Sequence, residues 1–365
     1  MNKHSDTLST PLPTGATLIP LIIIFAWLTG YGIYSDAEQG WSGALIGGVY
    51  GLSIALGACI LAAISTVSGA RWWAPISGIV ASVGRSMMPG IIVLILVFAF
   101  GLTTLYPWTD HAAVETNHLL HHKQPWLNTP FFLGRAGVVM LLFIVFGNAL
   151  FRPRRLPTVR AAVFFILAFA AGISVAWWDW LMSLEPEWFS TMYGVYGFAG
   201  ALRAGIAAVI LLGLFIERYG PQEFHMRERQ RQDLASLLFG FSMFWAYIWF
   251  CQYMLIWYAN LPEEAGYFVL RQSPSWNMLF WLNPIVGFIL PCFLVISLKF
   301  KRDRLTLFYA AAVAVVGQWI DIYMMVGPSQ GEATVPIYAI TATLAVVLAM
   351  WLIGKQHFVK AIARD

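Results

Sequence analysis

Residues 177–200 read WWDWLMSLEPEWFSTMYGVYGFAG. Two apolar runs meet here through a short turn that holds five aromatic residues by Ser190, three carboxylates and no Lys or Arg. Trp177, Trp178, Trp180 and Trp188 are of the kind that settles where water meets acyl chains. Asp179, Glu185 and Glu187 put acidic groups at or just below that boundary, where an unpaired charge is costly. The stretch is therefore expected to be the corner between two membrane-crossing helices on the outer face, and the rest of the chain extends that pattern in both directions.

Hydrophobic residues fill 59% of the 365 positions and charged residues only 11%, which points to an all-α polytopic membrane protein and away from a soluble domain. The net charge of +4 implies no nucleic-acid partner, because the basic residues sit in short loops between apolar runs, where they set orientation. Cys59, Cys251 and Cys292 lie inside apolar runs without CxxC spacing, so they are expected as small buried thiols and encode neither an iron–sulfur cluster nor a covalent haem. Residues 1–17 are polar and proline-containing, with no cleavage pattern after the first apolar run, so the first span is expected to stay in the protein.

Ten runs are long and apolar enough to cross a bilayer: 18–35, 42–66, 75–105, 130–150, 159–183, 190–217, 234–260, 276–298, 305–326 and 335–354. They make one membrane domain over 18–354 between tails at 1–17 and 355–365. If loops alternate sides, one side receives Lys3, Arg71, Arg152, Arg154, Arg155, Arg160, Arg218, Arg227, Arg229, Arg231, Lys299, Lys301, Arg302, Arg304, Lys355, Lys360 and Arg364, 17 of the 22 basic residues. The opposite loops hold only Lys123 and Arg271, so both termini are expected in the cytoplasm. Spans two to five and six to nine form sets of matching direction, and the fourth member of each carries a late acid, in Trp178-Asp179 and in Trp319-Ile320-Asp321. A parallel repeat of this kind places related sites in each half.

Asp179 and Asp321 are the leading candidates for handling protons. An ionised Asp at a helix centre costs about 2.5–3.5 kcal/mol unless it is paired or hydrated. Each either sits in a wet half-channel or bonds to Trp and Tyr donors that pin helix ends. Arg85 and Arg203 lie inside spans and keep their charge, so each needs a carboxylate, water or helix-end carbonyls; beside a proton path they would set its field, and otherwise they form structural ion pairs. Arg135, at the start of span four, is expected to snorkel to the surface. On the outer side, Glu185, Glu187, Glu263 and Glu264, with Trp188, either discharge protons or meet an extrinsic partner. His111, His118, His121 and His122 cluster in one loop, where a solvated or partner-contacting segment is favoured over a metal site. The aromatic block Trp245, Tyr247, Trp249, Tyr253, Trp257 and Tyr258 is expected mainly to pack helices. No histidine falls in the interior of a span, which argues against a haem b held between helices.

Trp178-Asp179-Trp180, Ser183 to Thr191, Phe244 to Tyr247 and Gln252 to Glu264 together resemble the second large membrane subunit of alternative complex III, the ActF type of the NrfD-like family, and the similarity covers most of the membrane region. The resemblance implies two four-helix bundles, roughly 42–183 and 190–326, with an extra pair of helices. It also implies a place in the bacterial cytoplasmic membrane, in a complex that oxidises quinol and passes electrons to cytochrome c or to a terminal oxidase. The partners implied are a second NrfD-like membrane subunit thought to hold the working quinol site, a multihaem cytochrome c, a monohaem cytochrome c and an iron–sulfur subunit. Haem c and the clusters belong to those partners; this chain is expected to bind no cofactor of its own, with quinol at most a weak expectation. Two other readings stay open, a secondary transporter and a membrane anchor with no proton role.

Overall fold

The computed structural model describes residues 15–151, 156–219, 224–331, 333 and 335–362, without the side chains of Ala113 and 358–362. Lys3, His4, Arg152, Arg154, Arg155, Glu332 and Arg364, and the side chain of Lys360, lie outside the described residues. Among the described residues, ten helices are long and apolar enough to cross a membrane: span 1 (Gly15–Ser35), span 2 (Ala37–Val67), span 3 (Ala74–Leu105), span 4 (Thr129–Leu150), span 5 (Val159–Leu184), span 6 (Tyr193–Tyr219), span 7 (Glu228–Ala259), span 8 (Asn277–Leu294), span 9 (Arg304–Gln330) and span 10 (Ile337–His357). Among the described residues there is no strand. The chain is an all-helical, multi-pass membrane protein.

Polar residues beside the apolar runs set several helix starts. Asp36 accepts from the Gln39 amide, Asn128 from Phe131, Thr158 from Ala161 and Asp303 from Thr306, each satisfying a backbone donor that the helix itself leaves free. Span 7 starts at Glu228 and not at 234, because the Arg227 amide is capped by the Gln230 side chain and a helix continues past the apolar layer wherever its backbone is satisfied. Its 32 residues make it about 48 Å long at ~1.5 Å per residue, well beyond a hydrocarbon layer of about 30 Å.

Span 2 is buried along its whole most apolar window and packs against spans 1, 3, 5, 6 and 10. In lipid, helices gain little by hiding apolar area from one another, so close backbone approach through small residues holds them together. Gly57 and Gly205 make such a crossing between spans 2 and 6: a Cβ on Gly57 would lie 1.9 Å from the Ala201 carbonyl oxygen, and one on Gly205 would lie 2.3 Å from the Gly57 carbonyl carbon. Span 6 in turn packs on spans 7 and 9, span 9 on span 8, and span 4 on span 5.

Loops alternate between two ends of the molecule. The basic end carries 68–73, 224–227 and 295–303. The cation-poor end carries short helices at His111–Thr116, His118–Lys123 and Pro262–Arg271 together with the 185–192 corner. Three spans contain a π turn, at Val97–Gly101, Trp177–Leu181 and Ile285–Ile289, and such turns free a carbonyl or redirect a side chain. Asn283-Pro284 leads directly into the last of them, and Asp179 lies within the second.

Candidate functional site

Asp321 lies in span 9, two turns before its cation-poor end, and is 1% exposed. Three neighbouring spans supply donors to its carboxylate. Tyr196 of span 6 donates its hydroxyl to Oδ1, Asn283 of span 8 donates Nδ2 to Oδ1 at 3.0 Å, and Trp245 of span 7 donates its indole N–H to Oδ2 at 3.1 Å. Hydrogen bonds to a charged group contribute about 1.5–3 kcal/mol each, so the set is large enough to offset the cost of burying an acid.

Arg203 is fully buried in span 6 but does not bond Asp321 directly. Its Nη1 donates to the Gly287 carbonyl at 2.5 Å, its Nη2 to Gln318 Oε1 at 3.0 Å, and its guanidinium lies 4.2 Å from the centre of the Trp245 ring. The π turn of span 8 presents the Gly287 carbonyl. A Cβ at Gly287 would meet Arg203 Nη1 at 2.8 Å and the Trp245 ring at 3.0 Å, so glycine there lets both approach the turn. Trp245 thus touches both charges, with its edge on the acid and its face on the cation.

Between Asp321 and the cation-poor end lies a cavity of about 20 Å³. Tyr196, Asn283, Asp321, Gln252, Tyr267 and Arg271 contribute its polar lining. Arg271 is buried and holds the roof in place: it pairs with Glu185 at 2.7 Å and donates to the carbonyls of Tyr267, Met324 and Met325. Although burial works against its charge, Tyr267 and Glu185 beside it hold the guanidinium above its ordinary value. Burial pushes the Tyr267 hydroxyl up to about 12, with Arg271 opposing, so it stays protonated at neutral pH.

No protein-family model and no curated protein matches this chain.

Asp179 is 1% exposed and sits in a different setting. Arg135 Nε pairs with its Oδ2 at 2.6 Å, and the Trp126 indole donates to its Oδ1 at 3.0 Å. Arg135, expected at the surface, instead turns inward: its Nη1 donates to the Trp126 carbonyl, and its guanidinium packs on the Trp126 and Phe131 rings at 4.1 and 4.2 Å. The reason is register, since spans 4 and 5 pack together and bring the two charges to the same level.

The aromatic corner also faces inward. Trp177, Trp180 and Trp188 are buried and Trp178 is half-buried, where residues of an interfacial belt were expected. Gly197 leaves the slot that the Trp177 ring fills, and Trp188 stacks on Tyr267 at 3.9 Å, which removes it from any docking surface. Glu185 is taken up by Arg271 and Glu187 accepts from Asn117 at 2.6 Å, while Glu263 is exposed and Glu264 half-buried on the short helix Pro262–Arg271. Arg85 donates to the Phe151 carbonyl at the end of span 4, one of the helix-end partners its position called for. Among the described residues no three His, Cys, Asp or Glu side chains converge as metal ligands, and His118 and His122 meet edge to face at 5.7 Å.

The structure brings together Asp321, Arg203 and their partners but keeps Arg85 and the Asp179 pair apart from them. Tyr196, Asn283 and Gln318 were not singled out as site residues. A lone amide inside an apolar run, as in Phe280-Trp281-Leu282-Asn283 and Val316-Gly317-Gln318, was the available signal. Glu217 was also missed. It is 3% exposed at the basic end of span 6, with Arg304 at 2.8 Å, Arg231 at 3.7 Å and His225 at 3.8 Å.

Proposed function

We propose that this chain is an integral subunit of a quinol-oxidising electron-transfer complex of the alternative complex III kind in the bacterial cytoplasmic membrane, where it supports proton movement and assembly and holds no redox centre of its own. Haem c, the iron–sulfur clusters and the working quinol site belong, in this reading, to partner subunits. The resemblance of the 178–191 and 244–264 segments supports the assignment to such a complex. In this reading spans 2–5 and 6–9 form two four-helix bundles with spans 1 and 10 as the extra pair; spans 3 and 5 pack on span 2 and spans 7 and 9 on span 6, while span 2 also packs on spans 6 and 10. The basic end is assigned to the cytoplasm on its Lys and Arg content.

The observation that carries the proton role is Asp321: a buried acid with uncharged donors from three spans, under a cavity toward the cation-poor end, with Arg203 held close by on other partners. Such a carboxyl gains or loses a proton without dismantling a direct ion pair. The test has two parts. The native complex released in mild detergent is expected to contain c-type haem and a second large membrane subunit. In that complex Asp321→Asn is expected to lower quinol oxidation or its coupling to proton movement while assembly persists. Unchanged turnover and coupling would refute the proton role. A protein that purifies alone and moves a solute would make it a transporter.

A further inference from the structure

Asn283 is 2% exposed, and its two amide atoms have different fates. Nδ2 donates to Asp321, which fixes the orientation of the amide, since a carboxylate needs a donor. Oδ1 is then a buried acceptor without a hydrogen-bond partner, in a residue that lines the cavity beside Asp321. An orphaned buried acceptor costs about 1–3 kcal/mol, and such atoms in native proteins generally answer to a water, an ion or a function. The cavity volume of about 20 Å³ suits one water, which needs roughly 10–15 Å³ for its centre and two to four polar neighbours. Asn283, Asp321, Gln252, Tyr196 and Tyr267 are the uncharged and acidic polar residues on its lining. Arg203 and Arg271 on either side make the place unsuited to a metal cation.

We infer that Asn283 Oδ1 binds a single internal water that connects the Asp321 carboxyl to the cation-poor end, which makes Asn283 a positioning residue for proton exchange. This rests on the proposed proton role of Asp321 for its significance, though not for the water itself. The water donates one hydrogen to Asn283 Oδ1 and keeps its lone pairs for a donor on the cavity wall. A proton delivered to it from the rim, where Gln252 and Trp249 are half-exposed, passes to a carboxylate oxygen of Asp321 and leaves a neutral water behind. The return step is the reverse. Asp179 has no matching arrangement, because Arg135 and Trp126 occupy its carboxylate.

The readout is hydrogen–deuterium exchange of the Trp245 indole N–H, observed by NMR on the full chain in lipid nanodiscs. That proton is bonded to Asp321, and under the inference it exchanges by way of the carboxyl. Asn283→Leu is expected to slow the exchange by about tenfold or more. A high-resolution map is expected to show density at water distance, about 2.7–3.2 Å, from Asn283 Oδ1. Should Asn283→Leu fail to fold, Met325→Phe fills the same cavity and is expected to slow the exchange with Asn283 intact. An unchanged rate in the folded variant, or a dry or ion-filled cavity in the map, overturns the inference. Loss of coupling in Asp321→Asn with no effect at Asn283 would leave the proton role standing and remove the water. Slowed exchange with full coupling in Asp321→Asn would do the opposite.

Discussion

The Arg135–Asp179 pair yields an asymmetric prediction. Asp179 is 1% exposed and has two donors, Arg135 at 2.6 Å and Trp126 at 3.0 Å. Arg135→Leu leaves a buried carboxylate with one neutral donor, and breaking a buried pair in this way costs about 3–5 kcal/mol. Asp179→Asn is milder. Arg135 keeps the Trp126 carbonyl at 3.0 Å and the two ring faces, and its side chain is 10% exposed and close to the cation-poor end. Its cost is about 1.5–3 kcal/mol, the size of a hydrogen bond to a charged group. The double variant removes the stranded charge, so it is expected to be more stable than Arg135→Leu alone, with a coupling of about 2–3 kcal/mol. Unfolding by a denaturing detergent in bicelles, over all four members of the cycle, measures these quantities. Equal single effects that simply add in the double would show that the pair is not what stabilises this corner and would refute the argument.

Other outcomes follow from the same geometry. Gly57→Ala places a Cβ against the Ala201 carbonyl, where backbone cannot yield, and is expected to cost about 1–3 kcal/mol or to lower the folded yield; Gly240→Ala, with open space around it, is the matched control. Glu217→Gln removes the carboxylate that Arg231, Arg304 and His225 share and is expected to cost about 2 kcal/mol, read as faster amide exchange over 224–231 with little change elsewhere. Asp303→Ala removes the cap of span 9, at about 1 kcal/mol. Hydrogen bonds from the Thr306 amide and hydroxyl hold the Asp303 carboxyl below its ordinary value. The cap is therefore fully present above the unfolded carboxylate value of about 3.9 and is lost as the pH falls through the lower folded value. A thermal melt of wild type and Asp303→Ala at neutral and strongly acidic pH should show the difference between them shrink in acid.

Span number and position were legible because hydropathy over some twenty residues is a sum, and sums tolerate local error. The boundaries shifted where polar helix continued beyond the apolar layer, as in Glu228 to Asp233. Asp179 and Asp321 stood out for a related reason, since one charged residue in an apolar run is visible by itself. Their partners were not, because partners are chosen by the rotation and level of packed helices and leave no trace in one-dimensional spacing. Arg135, at the start of span 4, is expected from sequence to snorkel, and the packing of spans 4 and 5 sets it on Asp179. The corner tryptophans misled for a different reason. Trp at a span end fits a lipid interface and a filled interhelical gap equally well, and it is the missing side chain at Gly197, in the next helix, that decides for the gap at Trp177.

The two acids carry a similar signature in sequence, Trp178-Asp179 and Trp319-Ile320-Asp321, each late in the fourth helix of its set, and each accepts an indole N–H in the fold. What separates them is where the nearby arginine goes. At Asp179 the guanidinium meets the carboxylate directly, so protonation would break an ion pair and strand Arg135 among Trp126 and Phe131. At Asp321 the guanidinium is turned away onto Gly287 and Gln318, and the donors are a hydroxyl, an amide and an indole. A hydroxyl is a donor and an acceptor both, so Tyr196 accommodates a protonated Asp321 by rotating its O–H, with no heavy atom displaced. The π turn that presents the Gly287 carbonyl gives Arg203 a partner other than the acid, and that is what the proposed proton role of Asp321 requires.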